Sequence, residues 1–149
     1  MREHAEVAPK VWLPPDALAL LGELNDAGVE YVLIGEMALA VYGQDWSSET
    51  VSIVPARYAR NLDRLSRVLR ELEAGWRVEG ETEVLEVDLA PAELAKLECW
   101  RLLTDLCELD IEFAPGGSSY HELFRDARRT ELPGGLVVQV AAPTAAGAR

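Results

Sequence analysis

The chain has 149 residues, 49% of them hydrophobic and 27% charged, the size and balance of a single folded domain over residues 1–149. Acidic residues outnumber basic ones 26 to 14, a net charge of −12, so the average field repels polyanions and argues against bulk nucleic-acid binding. Met1 to Lys10 is charged rather than apolar, and no apolar run reaches the roughly 18 residues of a membrane span, so a cytoplasmic location and no membrane partner are expected.

In chain order, Leu13-Pro14-Pro15-Asp16 reads as a helix entry, with Leu18, Leu21 and Leu24 at helical spacing and Gly28 as the stop. Val29 to Gly35 is β-rich and ends in glycine, which predicts a buried strand. A short helix is predicted over Glu36 to Tyr42, packed against that strand's end. Thr50 to Val54 is β-branched and stops at Pro55, a second strand. A long helix follows from Arg57 to Glu73, with Leu62, Leu65, Leu69 and Leu72 on its apolar face.

Beyond Gly75, Val84 to Val87 suggests a strand near a sheet edge, and Pro91 opens another helix. Trp100 to Thr104 and Glu108 to Phe113 form a candidate hairpin. Gly116 to Ser119 is a loop and cap before a helix over Tyr120 to Arg129. Leu136 to Ala141 is a last strand. Loosely ordered ends are expected over 1–12 and 143–149. The order predicts an α/β (α+β) domain, a mixed sheet flanked by helices.

Among residues that could carry chemistry, Cys99 and Cys107 are eight positions apart, neither a metal clip nor a redox pair, and read as reduced, largely buried thiols. His4 and His121 lie far from both, which leaves no zinc set. Ser47, Ser48, Ser118 and Ser119 have no evident base beside them. Arg57, Arg60, Arg64 and Arg67 form a basic stripe along the long helix, read as a solvated face paired with Asp63 and Glu71 in preference to a docking face.

The stretch Val32-Leu33-Ile34-Gly35-Glu36-Met37-Ala38, followed by Glu49-Thr50-Val51-Ser52-Ile53, resembles the front half of the nucleotidyltransferase superfamily of the DNA polymerase β type. The likeness is to small bacterial members found as toxins or toxin partners. In that family an apolar strand ends in Gly followed by Gly or Ser, and the next strand carries acidic-x-acidic fifteen positions after the first Gly. Gly35 plus fifteen is Thr50. Trp100 to Ile111, with Leu109-Asp110, is similar to the family's third-acid strand, and the resemblance spans roughly Leu18 to Ala141.

The resemblance implies a nucleotidyltransferase-like mixed sheet and, in an active member, two Mg²⁺ ions held by carboxylates. Acidic-x-acidic on a strand puts both carboxylates on one face. Here Thr50 and Ser52 occupy those two positions, and Asp110 alone remains of the three acids. At the nucleotide-binding turn, Gly35 is followed by Glu36, whose charge would repel a triphosphate, and Trp46 stands where small members often carry Arg. Of the acids nearby, Asp45 lies in the loop and could swing in, and Glu112 shares a face with Asp110, whereas Glu49 should face the opposite side of the strand from Thr50.

The expectation is a catalytically degenerate member acting through a protein partner or self-association, with no cofactor. The alternative is an active enzyme that transfers a nucleoside monophosphate to a protein or RNA, with Mg²⁺ on Asp110 and Glu112. A purely structural oligomerisation module is a third class, for which the residues offer no specific signal.

Overall fold

The computed structural model describes residues 6–7, 12–46 and 49–146. His4, Ser47 and Ser48 lie outside them, as do 147–149. Strand β1 (Glu6–Val7) precedes helix α1 (Pro15–Asp26), where Pro15 takes the first turn and Ala17, Leu20, Leu21 and Leu24 form the buried stripe. Strand β2 (Tyr31–Ile34) is buried at all four positions, as a central strand covered on both faces should be. Helix α2 (Gly35–Val41) follows with no intervening loop. Gly35 makes that junction at φ +76°, a conformation that L side chains rarely adopt.

Strand β3 (Val51–Pro55) and helix α3 (Ala59–Glu71) come next, then β4 (Gly75–Arg77), β5 (Val84–Leu85) and the short helix α4 (Pro91–Leu94). Gly75 is required by close approach: a Cβ there would meet the Leu85 carbonyl oxygen at 2.7 Å. Strands β6 (Cys99–Leu103) and β7 (Glu108–Glu112) make the expected hairpin. After a 3₁₀ turn at Pro115–Gly117, helix α5 (Tyr120–Asp126) starts with a capping box between Ser119 and Glu122. Strands β8 (Arg128–Glu131) and β9 (Val137–Val140) and a helical turn α6 (Pro143–Ala146) complete the described chain.

The nine strands among the described residues form one mixed sheet in the order β1-β8-β9-β2-β3-β7-β6-β4-β5. Three pairings are parallel, β1 with β8, β9 with β2 and β3 with β7, and the rest antiparallel. Register then separates the two faces, because side chains alternate. Val140, Leu33, Ile53, Ile111 and Trp100 form one row across five strands. Ile34, Ser52, Asp110 and Arg101 form the adjacent row on the opposite face.

Helix α1 lies over the first face, where the Tyr31 hydroxyl donates to Asn25 Oδ1 at 2.7 Å. Helix α4 lies on the same face, where Trp100 Nε1 donates to the Leu94 carbonyl at 3.2 Å, and α3 touches both helices. Asn61, fully buried on α3, ties that helix to the start of β2. It accepts from the Glu30 N–H at 2.7 Å and donates to the carbonyls of Glu30 and Ala56.

Several expectations are corrected. The helix expected to run to Arg129 ends at Asp126, and Arg128–Glu131 is instead a strand on β9. Only Thr130 of that strand is buried, so no apolar alternation announces it. Of the ends expected to be loose, 1–5, 8–11 and 147–149 lie outside the described residues, Glu6–Val7 forms β1, and Pro143–Ala146 forms α6 with Ala146 buried. Both cysteines are half-buried rather than largely buried.

Candidate functional site

Strand β7 presents Glu108, Asp110 and Glu112 on one face, at alternate positions. Ser52 of β3 is the parallel partner of Asp110 and is fully buried. Thr50, just before β3, donates through Oγ1 to Glu108 Oε1 at 2.8 Å. Thr50, Ser52 and Asp110 therefore share a sheet face.

They do not share an open cleft. The Asp110 side chain is only 3% exposed and lies between two guanidinium groups. Arg101, its cross-strand partner on β6, donates from Nη1 to Oδ2 at 2.5 Å. Arg77 of β4 brings Nη1 to 3.1 Å from Oδ1 and to 3.5 Å from Glu108 Oε1. Thr50, Glu108, Arg77, Asp110 and Arg101 thus form a continuous chain of polar contacts with two cations and two anions. Neither arginine stands out in the sequence. Their role depends on the β4–β6–β7 register, which no local pattern reveals.

These residues do not fit the metal that the family resemblance implies. Mg²⁺ needs several hard oxygens converging at about 2.0–2.1 Å. Both Asp110 oxygens face guanidinium groups, and Ser52 supplies no charge. Among the described residues, no three His, Cys, Asp or Glu side chains are placed to hold a metal ion. Glu112 is buried, and its Oε2 has no hydrogen-bond partner among those residues. Asp45 stays exposed in the loop, and Glu36 is half-buried in the first turn of α2.

A cleft of about 730 Å³ opens beside Thr50 and Glu108. Its walls include Trp12, Trp46, Asp16, Glu49 and Cys107. Glu49 was expected on the opposite side from Thr50. It precedes the strand and sits at φ +32°, so strand alternation does not govern it and it lines the same cleft. Burial pushes the Cys107 thiol up to about 12, with further rises from Asp16, Glu108 and Glu49.

The arginine stripe is largely spent within the fold. Arg57 bonds Glu98 at 2.9 Å and the Ala95 carbonyl, and its guanidinium lies 4.5 Å from the Phe113 ring centroid. Arg64 donates to the Gly28 carbonyl at 3.2 Å, near the end of α1, and Arg67 pairs with Asp63 at 3.5 Å. His121 is exposed beside Tyr120, and Ser119 is a helix cap.

The sheet order, with β3 between β2 and β7, can be set beside known structures. The fold is nucleotidyltransferase-like. The crystal structure of a Thermotoga maritima protein, provisionally named a nucleotidyltransferase, matches 92% of this chain and 84% of its own length with a TM-score of 0.58. The two sequences are 14% identical, so the likeness carries the architecture alone. No protein-family model matches the chain, and no curated protein matches it by sequence. No described helix is long and apolar enough to cross a membrane.

Proposed function

We propose that this chain is a catalytically degenerate nucleotidyltransferase-fold protein of the small toxin–antitoxin type, acting through a protein partner or a regulatory contact. One observation carries the reading: Asp110, at the third acidic position, is held by Arg77 and Arg101. Two fixed guanidinium groups already supply the positive charge that a metal would bring to the carboxylate. Thr50 and Ser52 add no anion, and Ser52 is sealed from solvent. The net charge of −12 and the internal contacts of Arg57, Arg64 and Arg67 support a partner other than bulk nucleic acid.

The test is calorimetric titration of the full chain with Mg²⁺ and each nucleoside triphosphate. No micromolar binding is expected. Micromolar Mg²⁺-dependent affinity for any of the four would overturn the reading in favour of an active enzyme with a rearranged acid set. The double variant Thr50→Asp/Ser52→Asp should not gain nucleotide binding. Its new carboxylates would meet Arg77 and Arg101 rather than an open metal site, and Glu36 would still oppose the triphosphate.

A further inference from the structure

We propose that the cleft beside Thr50 is a binding site for an organic cation, a guanidinium or primary ammonium group carried on an apolar stem. This rests on the partner-binding reading above, since an Arg or Lys side chain of a partner protein is such a group. The cleft has an indole from Trp12, 74% exposed, and another from Trp46, which is half-buried. Indole faces are the strongest aromatic acceptors of cations. Pro14, Pro15 and Leu106 add apolar surface for the stem.

Charge completes the match. Asp16, Glu49 and Glu108 line the cleft, and no Lys or Arg does among the described residues. The charges of all three carboxylates reach the Cys107 thiol, which lines the same cleft, and oppose its ionisation. Glu108 is shared with Thr50 and Arg77, which leaves Asp16 and Glu49 as the anions most available to a ligand. Both are exposed and have no ion pair among the described residues.

The experiment titrates the full chain with n-butylguanidinium, with the capped tripeptide acetyl-Gly-Arg-Gly-amide, and with AMP. Indole N–H shifts in NMR spectra are the readout, with Trp12 assigned from Trp12→Ala. Both cations should give saturable shifts at the indoles of Trp12 and Trp46, and AMP none. Tighter binding of the tripeptide identifies a protein side chain as the source; tighter binding of butylguanidinium identifies a free small cation.

The double variant Asp16→Asn/Glu49→Gln should weaken cation binding about tenfold, and Trp12→Ala about fivefold. All three substitutions are at exposed positions, and circular dichroism checks that the variants fold. Absence of saturable cation binding overturns this proposal and leaves the degenerate-enzyme reading standing. Cation affinity unchanged in both variants also overturns it. Mg²⁺-dependent triphosphate binding with no cation binding overturns both readings.

Discussion

Asp110 pairs with Ser52 near the start of β3 and Glu49 precedes that strand by two residues, yet the fold treats their charges in opposite ways. Asp110 is buried beneath Arg77 and Arg101, with both oxygens facing guanidinium nitrogens. Glu49 is exposed on a cleft walled by tryptophans, with no base among its described lining. A buried carboxylate held by two arginines is part of the scaffold, because releasing it would strand two partly desolvated cations. An exposed carboxylate beside an indole costs the fold little and is available to a ligand. In this sheet, Asp110 is ion-paired within the fold, whereas Glu49 stays exposed with no ion pair among the described residues.

The comparison breaks most visibly at Asp110. A carboxylate kept for a metal is held under repulsion in the free protein, so neutralising it should stabilise the chain. A carboxylate that completes an ion-pair network should do the reverse. Asp110→Asn is expected to lower unfolding free energy by about 3 kcal/mol in urea titrations. A gain in stability would return Asp110 to the role of a metal ligand.

Asn61 sharpens the same point on the other face of the sheet. It is fully buried and neutral, and makes two hydrogen bonds from α3 to Glu30 at the entry to β2 and one to the Ala56 carbonyl just after β3. Asn61→Ala should cost about 2 kcal/mol, since it leaves the Glu30 N–H without its acceptor. A loss equal to that of Asp110→Asn would mean that hydrogen-bond satisfaction, not charge, sets the cost at both places. Thr50→Val comes next, at about 1 kcal/mol, for the single donor to Glu108 at 2.8 Å. If that substitution leaves stability unchanged, Glu108 is held by Arg77 alone.

Much of this was legible in the sequence, and the part that was not has a physical reason. Strand alternation, a local rule, predicts that Thr50 and Ser52 share a face, and the family resemblance implies that Asp110 joins them there, as the β3–β7 register shows. A cap within Gly116–Ser119 was legible for the same reason, and Ser119 forms it with Glu122. Arg77 was not, since β4 is three residues long and reaches Asp110 only through pairing with β6. Strand alternation predicts Glu49 on the opposite side from Thr50, but Glu49 lies two residues before β3 at a positive φ, where that rule does not hold. Arg101 was visible as a strand residue, but its partner depends on the hairpin register, which the Thr104–Cys107 turn sets through hydrogen bonds in both directions.

The smallest expected effect concerns the thiol that lines the uncovered cleft. Burial pushes the Cys107 pKa up to about 12, and the carboxylates of Asp16, Glu108 and Glu49 add to the rise. In the unfolded chain a cysteine ionises near 8.5. Between those values the folded state keeps a proton that the unfolded state has lost, so stability falls as pH rises. The contribution is fully present below about pH 8.5 and is lost progressively toward pH 12. Because the residue is only half-buried, solvent screening reduces the loss, to less than about 1 kcal/mol between pH 8.5 and 10. Tyr31 and Tyr120, both raised by burial, add a similar slope at higher pH, so the informative quantity is a difference between two proteins. Cys107→Ala should lose less stability than the parent chain over that interval, as measured by urea unfolding at each pH. Glu49→Gln should fall between them, because it removes one anion that opposes the thiolate. Parallel pH profiles for all three would show that the carboxylates do not converge on Cys107, and would remove one support for an anionic cleft beside the sealed aspartate.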